Sequence, residues 1–210
     1  MKNLIVDRIE FPEFTGIKCN MMPFIQGDSS SLPEAYRPYS KIIDDVYLEK
    51  GEMGYLTIDE SFVNSGKSQR GYNSKDINRN VHIEVGRGEK SNHWGSGGDD
   101  GGGSSWDGRG NTLLDDDTMV LIANNISNTC KVWDEKEMSY TKNGDLSEYI
   151  DKYPENTGTL LKSGEVAKIS IFTPHECINQ TEANNRQFFR IVGKGVKGRE
   201  SYFTVNPLLN

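Results

Sequence analysis

After residue 51 the chain contains short extended runs, alternating or largely apolar, that are separated by turns rich in Gly, Asn and Asp. Further extended segments precede that point, and one segment differs because its apolar residues recur at offsets of three and four. The pattern predicts a mainly β domain, a jelly-roll or β-sandwich with one early helix. The candidate strands are residues 4–11, 21–25, 53–58, 81–85, 118–123, 130–133, 166–172 and 187–192.

The helical segment covers about residues 33–50, with its apolar stripe at Tyr36, Ile43 and Tyr47 among others. Serine hydroxyls at 29–31 are available as N-cap and Pro33 suits the first turn. Lys50-Gly51 has the composition of a helix C-terminus. We expect this helix to pack its apolar stripe against a sheet.

A glycine-rich insertion at about residues 86–110 interrupts the single β domain that a chain of 210 residues predicts. Its central tract, residues 95–105, lies between Trp94 and Trp106 and has no periodicity, so we predict an exposed loop. Two interpretations remain open. The loop is either a lid over the strand that carries His82, with the two tryptophans as apolar contacts, or a plain surface insertion.

Charge and hydropathy limit the partners. The chain has 24 Lys and Arg against 31 Asp and Glu, a net charge of −7 spread along its length, which argues against nucleic acid as the main partner. No run approaches the roughly 18 apolar residues that span a membrane, and the apolar start is too short for a secretory signal. We therefore expect a soluble, cytoplasmic protein with no membrane partner.

The three cysteines, Cys19, Cys130 and Cys177, are odd in number and widely spaced. Such spacing fits neither a disulfide framework nor a Cys-x-x-Cys zinc site. We expect reduced thiols. Cys177 shares a face with His175 if that segment is a strand.

Candidate chemistry is concentrated in His82-Ile83-Glu84 and in His175, which follows 91 residues after Glu84. Two imidazoles and one carboxylate are the ligand set of the facial triad that holds Fe(II) and leaves positions open for oxygen and substrate. Side chains alternate along an extended segment, so His82 and Glu84 project to the same side. The alternatives are a hydrogen-bonded core histidine and a solvated strand.

The order of these features resembles the Fe(II)/2-oxoglutarate dioxygenases, a family built on the double-stranded β-helix. The resemblance covers about residues 80–192 and implies that His82, Glu84 and His175 bind iron. In that family an arginine some ten to fifteen residues after the late histidine binds the far carboxylate of 2-oxoglutarate; Arg186 lies eleven and Arg190 fifteen residues after His175. Spacing favours Arg186. Glu84 departs from the family's commoner aspartate.

Two functions follow as expectations. The first is a mononuclear non-haem iron oxygenase that uses 2-oxoglutarate on an unknown small-molecule or protein substrate. The second is a metal-free jelly-roll that self-associates as a structural or assembly subunit, for example of a viral particle. His93, beside Trp94, is either a substrate contact or acid/base of the loop or an inert loop histidine.

Overall fold

The computed structural model describes residues 4–70, 79–84, 86–88, 91–93, 113–114, 117–137, 144–194, 196–197 and 203–209, with the backbone alone described at 86–88, 91–93, 113–114 and 196–197. These residues form a mainly β structure with two antiparallel sheets, two small ribbons and one short α-helix. The strands in chain order are β1 Ile5–Arg8, β2 Lys18–Ile25, β3 Met53–Val63, β4 Gly86–Gly88, β5 Ser91–His93, β6 Leu113–Leu114, β7 Met119–Asn124, β8 Cys130–Val132, β9 Thr159–Leu160, β10 Glu165–Ser170, β11 His175–Cys177, β12 Asn184–Val192 and β13 Val196–Lys197.

The large sheet has six strands in the order β1-β10-β7-β12-β3-β2, and the small sheet has three in the order β11-β8-β9. The ribbons are β13-β6 and β4-β5. The longest pairing joins β12 to β3, from Asn184 opposite Val63 to Val192 opposite Tyr55. This pairing matters for the site because β12 and β3 carry polar residues on one face.

Alternation along β12 separates its two faces. Phe189 and Ile191 pack into one buried cluster with the early helical segment, whereas Arg186 and Arg190 line a cavity on the opposite side. The second buried cluster joins that opposite side to the small sheet through residues such as Ile122 of β7 and Val132 of β8. The large sheet therefore has an apolar layer on each face, and the site lies within the layer shared with the small sheet.

The early helix is shorter than the predicted span of 33–50. A 3₁₀ helix covers Glu34–Tyr39 and an α-helix covers only Ser40–Asp45, where the N–H of Val46 closes the last turn. Pro38 lies inside the 3₁₀ segment, and a proline removes a backbone donor and clashes with the preceding turn of an α-helix, so an α-helix begins only after it. No helix in the described residues is long and apolar enough to cross a membrane.

The glycine-rich insertion is not a loop throughout. Its first residues form the β4-β5 ribbon, with Gly86 opposite His93 and Gly88 opposite Ser91. The backbone donors and acceptors of this stretch thus pair with each other. The central tract 95–105, together with its expected exposure, lies outside the described residues.

The turn at Gly164 gives a prediction about stability. Gly164 has a φ of +75°, and a Cβ at this position would lie 2.2 Å from the carbonyl oxygen of Ile9. Gly164→Ala is therefore expected to lower the free energy of unfolding by at least about 2 kcal/mol, because left-handed strain adds to a backbone clash. Gly16 is the matched control: its φ is +84° with open space around it, and Gly16→Ala is expected to lose about 1 kcal/mol. Urea denaturation compares the two, and equal losses would contradict the clash.

Candidate functional site

A partly open cavity of about 110 Å³ lies against the faces of β3 and β12 that carry polar side chains. Its wall combines guanidinium, imidazole, carboxylate and thiol groups, and so many ionisable side chains seldom lie together inside a protein. The lining residues are Thr57, Asp59, Gln69, Arg70, His82, Glu84, Cys130, His175, Glu176, Cys177, Arg186, Phe188 and Arg190. The three predicted metal ligands and both predicted arginines are therefore all in this wall.

Backbone pairing brings the two histidines together. The N–H of His82 donates to the carbonyl of His175 at 3.0 Å, and the N–H of His175 donates to the carbonyl of His82 at 2.9 Å. The ring centroids lie 4.1 Å apart. His82 forms an isolated bridge here and not the regular strand that the sequence predicts for 81–85. The neighbouring Glu84 N–H donates to the carbonyl of Ile171 at 2.9 Å, which turns its carboxylate toward the same cavity.

Both imidazoles are held in a defined tautomer. The Nδ1 of His82 lies 2.5 Å from the carbonyl oxygen of Asn80, and the Nδ1 of His175 lies 3.0 Å from that of Thr173. A carbonyl only accepts, so each Nδ1 carries the proton, and in the neutral ring each Nε2 presents a lone pair. Burial, followed by the charge of Arg70, lowers the pKa of His82 well below its usual range. His82 is thus neutral at physiological pH, with a lone pair on Nε2.

Glu84 is ionised and lies beside the Nε2 of His175. Burial raises the pKa of Glu84, but Arg190 and the hydrogen bond with His175 lower it more, to about 2. Its Oε1 lies 3.4 Å from the Nε2 of His175. Because the Nδ1 proton of His175 is committed to Thr173, this contact is favourable only with a proton or a cation between the two atoms. The pair therefore provides a position for positive charge.

Guanidinium groups already contact two of the three candidate ligands. Nη1 of Arg70 lies 2.8 Å from the Nε2 of His82, and Nη1 of Arg190 lies 3.3 and 3.4 Å from the two oxygens of Glu84. Among the described residues, no group of three or more His, Cys, Asp and Glu side chains has the arrangement of a metal site. The structure brings the candidate ligands into one cavity, and metal binding stays a prediction.

The two predicted arginines have different partners. Arg190 contacts the carboxylate of Glu84, and its Nη2 donates to Oγ1 of Thr57 at 3.1 Å. Among the described residues, Arg186 donates to neutral groups: Nε to Oγ1 of Thr129 at 3.1 Å, Nη2 to the Thr129 carbonyl at 3.5 Å and Nη1 to the amide oxygen of Gln69. Arg186 is buried, with an exposed fraction of 2%. Within the described part of the chain, no carboxylate forms an ion pair with it.

Sequence patterns missed several groups of the wall. The sequence does carry a signal for Thr57 and Asp59, since they stand at alternate positions of β3 and so share a face. Arg70 and Gln69 carry no such signal, because they lie in irregular chain and reach the site through contacts that are distant in sequence. Cys130 faces the site through its pairing in the small sheet.

The residues predicted for a substrate loop are only partly placed. His93 ends β5, where its backbone pairs with Gly86, and its side chain is outside the described atoms. Trp94 and Trp106 lie outside the described residues. A role for these three residues in binding substrate remains a prediction.

No match to the chain was found among protein-family models, curated proteins or solved structures. A fold by itself does not determine function. We therefore infer function from the residues of the cavity.

Proposed function

We propose that this protein is a mononuclear non-haem iron oxygenase on a double-stranded β-helix, with Fe(II) held by His82, Glu84 and His175 and with 2-oxoglutarate as co-substrate. One observation carries the proposal. Two buried imidazoles have their Nδ1 protons bound by backbone carbonyls, and their Nε2 atoms line the same cavity as an ionised carboxylate. A hydrogen bond on the outer nitrogen is how proteins usually orient a histidine that binds metal through the other nitrogen.

The strand order supports the jelly-roll part of the proposal. The segment that carries His82, residues 81–84, bridges to the free edge of β11, so the small sheet continues as this segment, β11, β8 and β9. In the large sheet the matching run is β3, β12, β7 and β10. The ribbons aside, β3, β7, β10 and β12 lie in the large sheet, and residues 81–84, β8, β9 and β11 lie in the small one. Along the chain, the strands therefore cross between the two sheets at every step except from β8 to β9. Eight strands in two facing sheets with this crossing pattern are typical of a jelly-roll.

The donor set fits a divalent metal of intermediate hardness. Two neutral imidazoles and one carboxylate suit Fe(II), and when bound the metal supplies open positions for oxygen and a chelating co-substrate. The chain's own residues keep His82 neutral, keep Glu84 ionised and hold both rings in the required tautomer. Arg70 has to leave the Nε2 of His82 for a metal to bind there.

Charge supports a place for an anionic co-substrate at Arg186. Burying a guanidinium without an anion costs several kcal/mol, and among the described residues this one contacts an amide, a hydroxyl, a carbonyl and the ring of Phe188. A carboxylate that enters the cavity forms a charge-assisted pair with it. Arg190 is less suited because Glu84 already neutralises it. Both spacing and charge therefore favour Arg186 for the far carboxylate of 2-oxoglutarate.

We predict that Arg186→Ala weakens 2-oxoglutarate binding by about 10- to 100-fold, since a hydrogen bond to a charged group contributes about 1.5–3 kcal/mol. Calorimetry with Mn(II) as an inert substitute for iron measures this. Arg8→Ala is the matched control, because Arg8 is exposed and pairs with Glu165; its affinity is expected to equal that of the wild type. Absence of binding by the wild type would refute the co-substrate, and full affinity in Arg186→Ala would refute the role of the arginine.

A second function, a metal-free structural or assembly subunit, is favoured by one observation: the guanidinium groups of Arg70 and Arg190 already satisfy His82 and Glu84. In that case the site is a buried polar network that stabilises the fold. It predicts a folded protein that binds no metal and assembles into large particles, which light scattering detects.

A further inference from the structure

Two cysteines of the cavity wall stand directly opposite each other on adjacent antiparallel strands. Cys177 of β11 is the register partner of Cys130 of β8. The N–H of Trp133 donates to the carbonyl of Pro174 at 3.0 Å, and the N–H of Ile178 donates to that of Thr129 at 2.9 Å. Hydrogen-bonded and non-hydrogen-bonded pairs alternate along such a ladder. Counted along the strands from the pair Cys130–Cys177, one of these bonded pairs lies three positions away and the other lies one position away. Both numbers are odd, so Cys130 and Cys177 are a non-hydrogen-bonded pair.

The geometry of that class of pair suits a disulfide. In non-hydrogen-bonded pairs the Cα atoms are about 4.5 Å apart and the side chains leave the sheet on the same face. Disulfides span Cα separations of roughly 4.4–6.8 Å. Both cysteines also line the same cavity. The two sulfur atoms are therefore within reach of each other without movement of the backbone.

The third cysteine has no such partner. Cys19 lies on β2 opposite Ile58, in the apolar cluster on the other face of the large sheet, and its thiol contacts the carbonyl of Leu56. Cys130 is buried, whereas Cys177 is partly exposed and accessible to a small oxidant. The fold thus allows one pairing out of the three possible.

We propose that Cys130 and Cys177 form a reversible cross-strand disulfide in the wall of the cavity. With a small disulfide such as oxidised glutathione as oxidant, the sulfur of Cys177 attacks one glutathione sulfur and releases the other glutathione as a thiol. The sulfur of Cys130 then attacks that of Cys177 and releases the second glutathione. Two protein thiols become one disulfide, one glutathione disulfide becomes two thiols, and the reverse exchange restores the thiols.

The order of these steps follows from burial. Burial raises the pKa of Cys130 to about 12, so its thiol does not react first with an external oxidant. Once Cys177 carries glutathione, Cys130 attacks within the same molecule, and its closeness to Cys177 acts as a high effective concentration. The cross-link ties β8 to β11, the strand that begins at His175, and so fixes one wall of the site. This inference stands on the strand register and does not depend on the binding of metal.

The test uses folded wild-type protein in glutathione buffers of increasing oxidised fraction, followed by acid quenching, alkylation and peptide mapping by mass spectrometry. We expect a protein lighter by two hydrogens, a cross-linked peptide that joins Cys130 to Cys177, and alkylated Cys19. A reducing thiol reverses the change, and the oxidised form unfolds at a higher temperature.

The variant Cys19→Ser is the matched control and is expected to form the same cross-link, whereas Cys177→Ser forms none. Two results in the wild type would overturn the proposal: alkylation of Cys130 and Cys177 at the highest oxidised fraction, or glutathione retained on Cys177 beside an alkylated Cys130. Because both are read from the wild type, they do not depend on the folding of a variant.

Discussion

Replacing His175 with alanine is expected to weaken binding of Fe(II) or Mn(II) by at least about 100-fold. The variant removes one of three proposed ligands, and even changes in the groups that orient such ligands lower affinity by about 10- to 100-fold. The Nε2 of His175 also lies opposite the ionised carboxylate of Glu84, the position at which positive charge is favoured. His82→Ala is expected to behave alike. Competition against a chelator of known affinity, without oxygen, measures the change.

His93 provides the matched control, since the chain has only three histidines. His93→Ala makes the same chemical change outside the proposed triad and is expected to retain the wild-type affinity for the metal. Circular dichroism of each variant establishes that the fold is intact. Equal affinity in His175→Ala and in the wild type would show that His175 is not a ligand.

The second large effect is expected from a substitution of Glu60, which lies away from the cavity. This substitution changes the stability of the fold. The Oε2 of Glu60 accepts the backbone N–H groups of residues 15–17, and its Oε1 accepts from the hydroxyl of Tyr39 and the amide of Gln187. Glu60→Gln turns one of these oxygens into a donor that faces donors. The free energy of unfolding is expected to fall by about 3 kcal/mol, since several charge-assisted bonds are lost in a buried place.

Urea denaturation measures this loss, with Glu13→Gln as the control because Glu13 is exposed. The control is expected to stay within about 0.5 kcal/mol of the wild type. Binding of metal is expected to be unchanged in Glu60→Gln, because Glu60 is not in the wall of the cavity. A Glu60→Gln protein as stable as the control would contradict the structural role of Glu60.

The ionisation of Glu60 is expected to make the free energy of unfolding depend on pH. Burial raises the pKa of Glu60, but the bonds from Gln187, from the backbone of residues 15 and 17 and from Tyr39 together lower it below the ordinary value of 4.5. A group with a lowered folded-state pKa contributes stability that is present above its unfolded value and is lost as pH falls through the folded value. The stability difference between wild type and Glu60→Gln is therefore expected to shrink below about pH 4.5. A constant difference would exclude this carboxylate as the cause.

Local sequence patterns predicted much of this fold because strands and turns depend on neighbouring residues. Extended patterns located the starts of β3, β7 and β10 to within one residue and the end of β12, although β3 continues five residues beyond the predicted 53–58. The same rule assigned Arg186 and Arg190 to one face of their strand, and both line the cavity. The early helix was overestimated because its apolar spacing continues through Pro38, where the backbone cannot form an α-helix.

The rest of the site depends on contacts between distant parts of the chain. Arg70 reaches His82 from an irregular segment without a motif, so nothing near it in the sequence reports the contact. The opposition of Cys130 and Cys177 depends on the register between β8 and β11, which spacing alone does not fix. For that reason the sequence predicted three unrelated thiols, whereas the fold places two of them face to face.

The iron content of wild-type protein, purified without oxygen, loaded with Fe(II) and freed of unbound metal by gel filtration, tests the proposed metal centre most directly. We predict a stoichiometric amount of iron in the wild type and in His93→Ala, and only traces in His82→Ala and His175→Ala. Folded wild-type protein that retains no more iron than His175→Ala would contradict the metal centre, and the cavity would then be a buried network of ion pairs and hydrogen bonds.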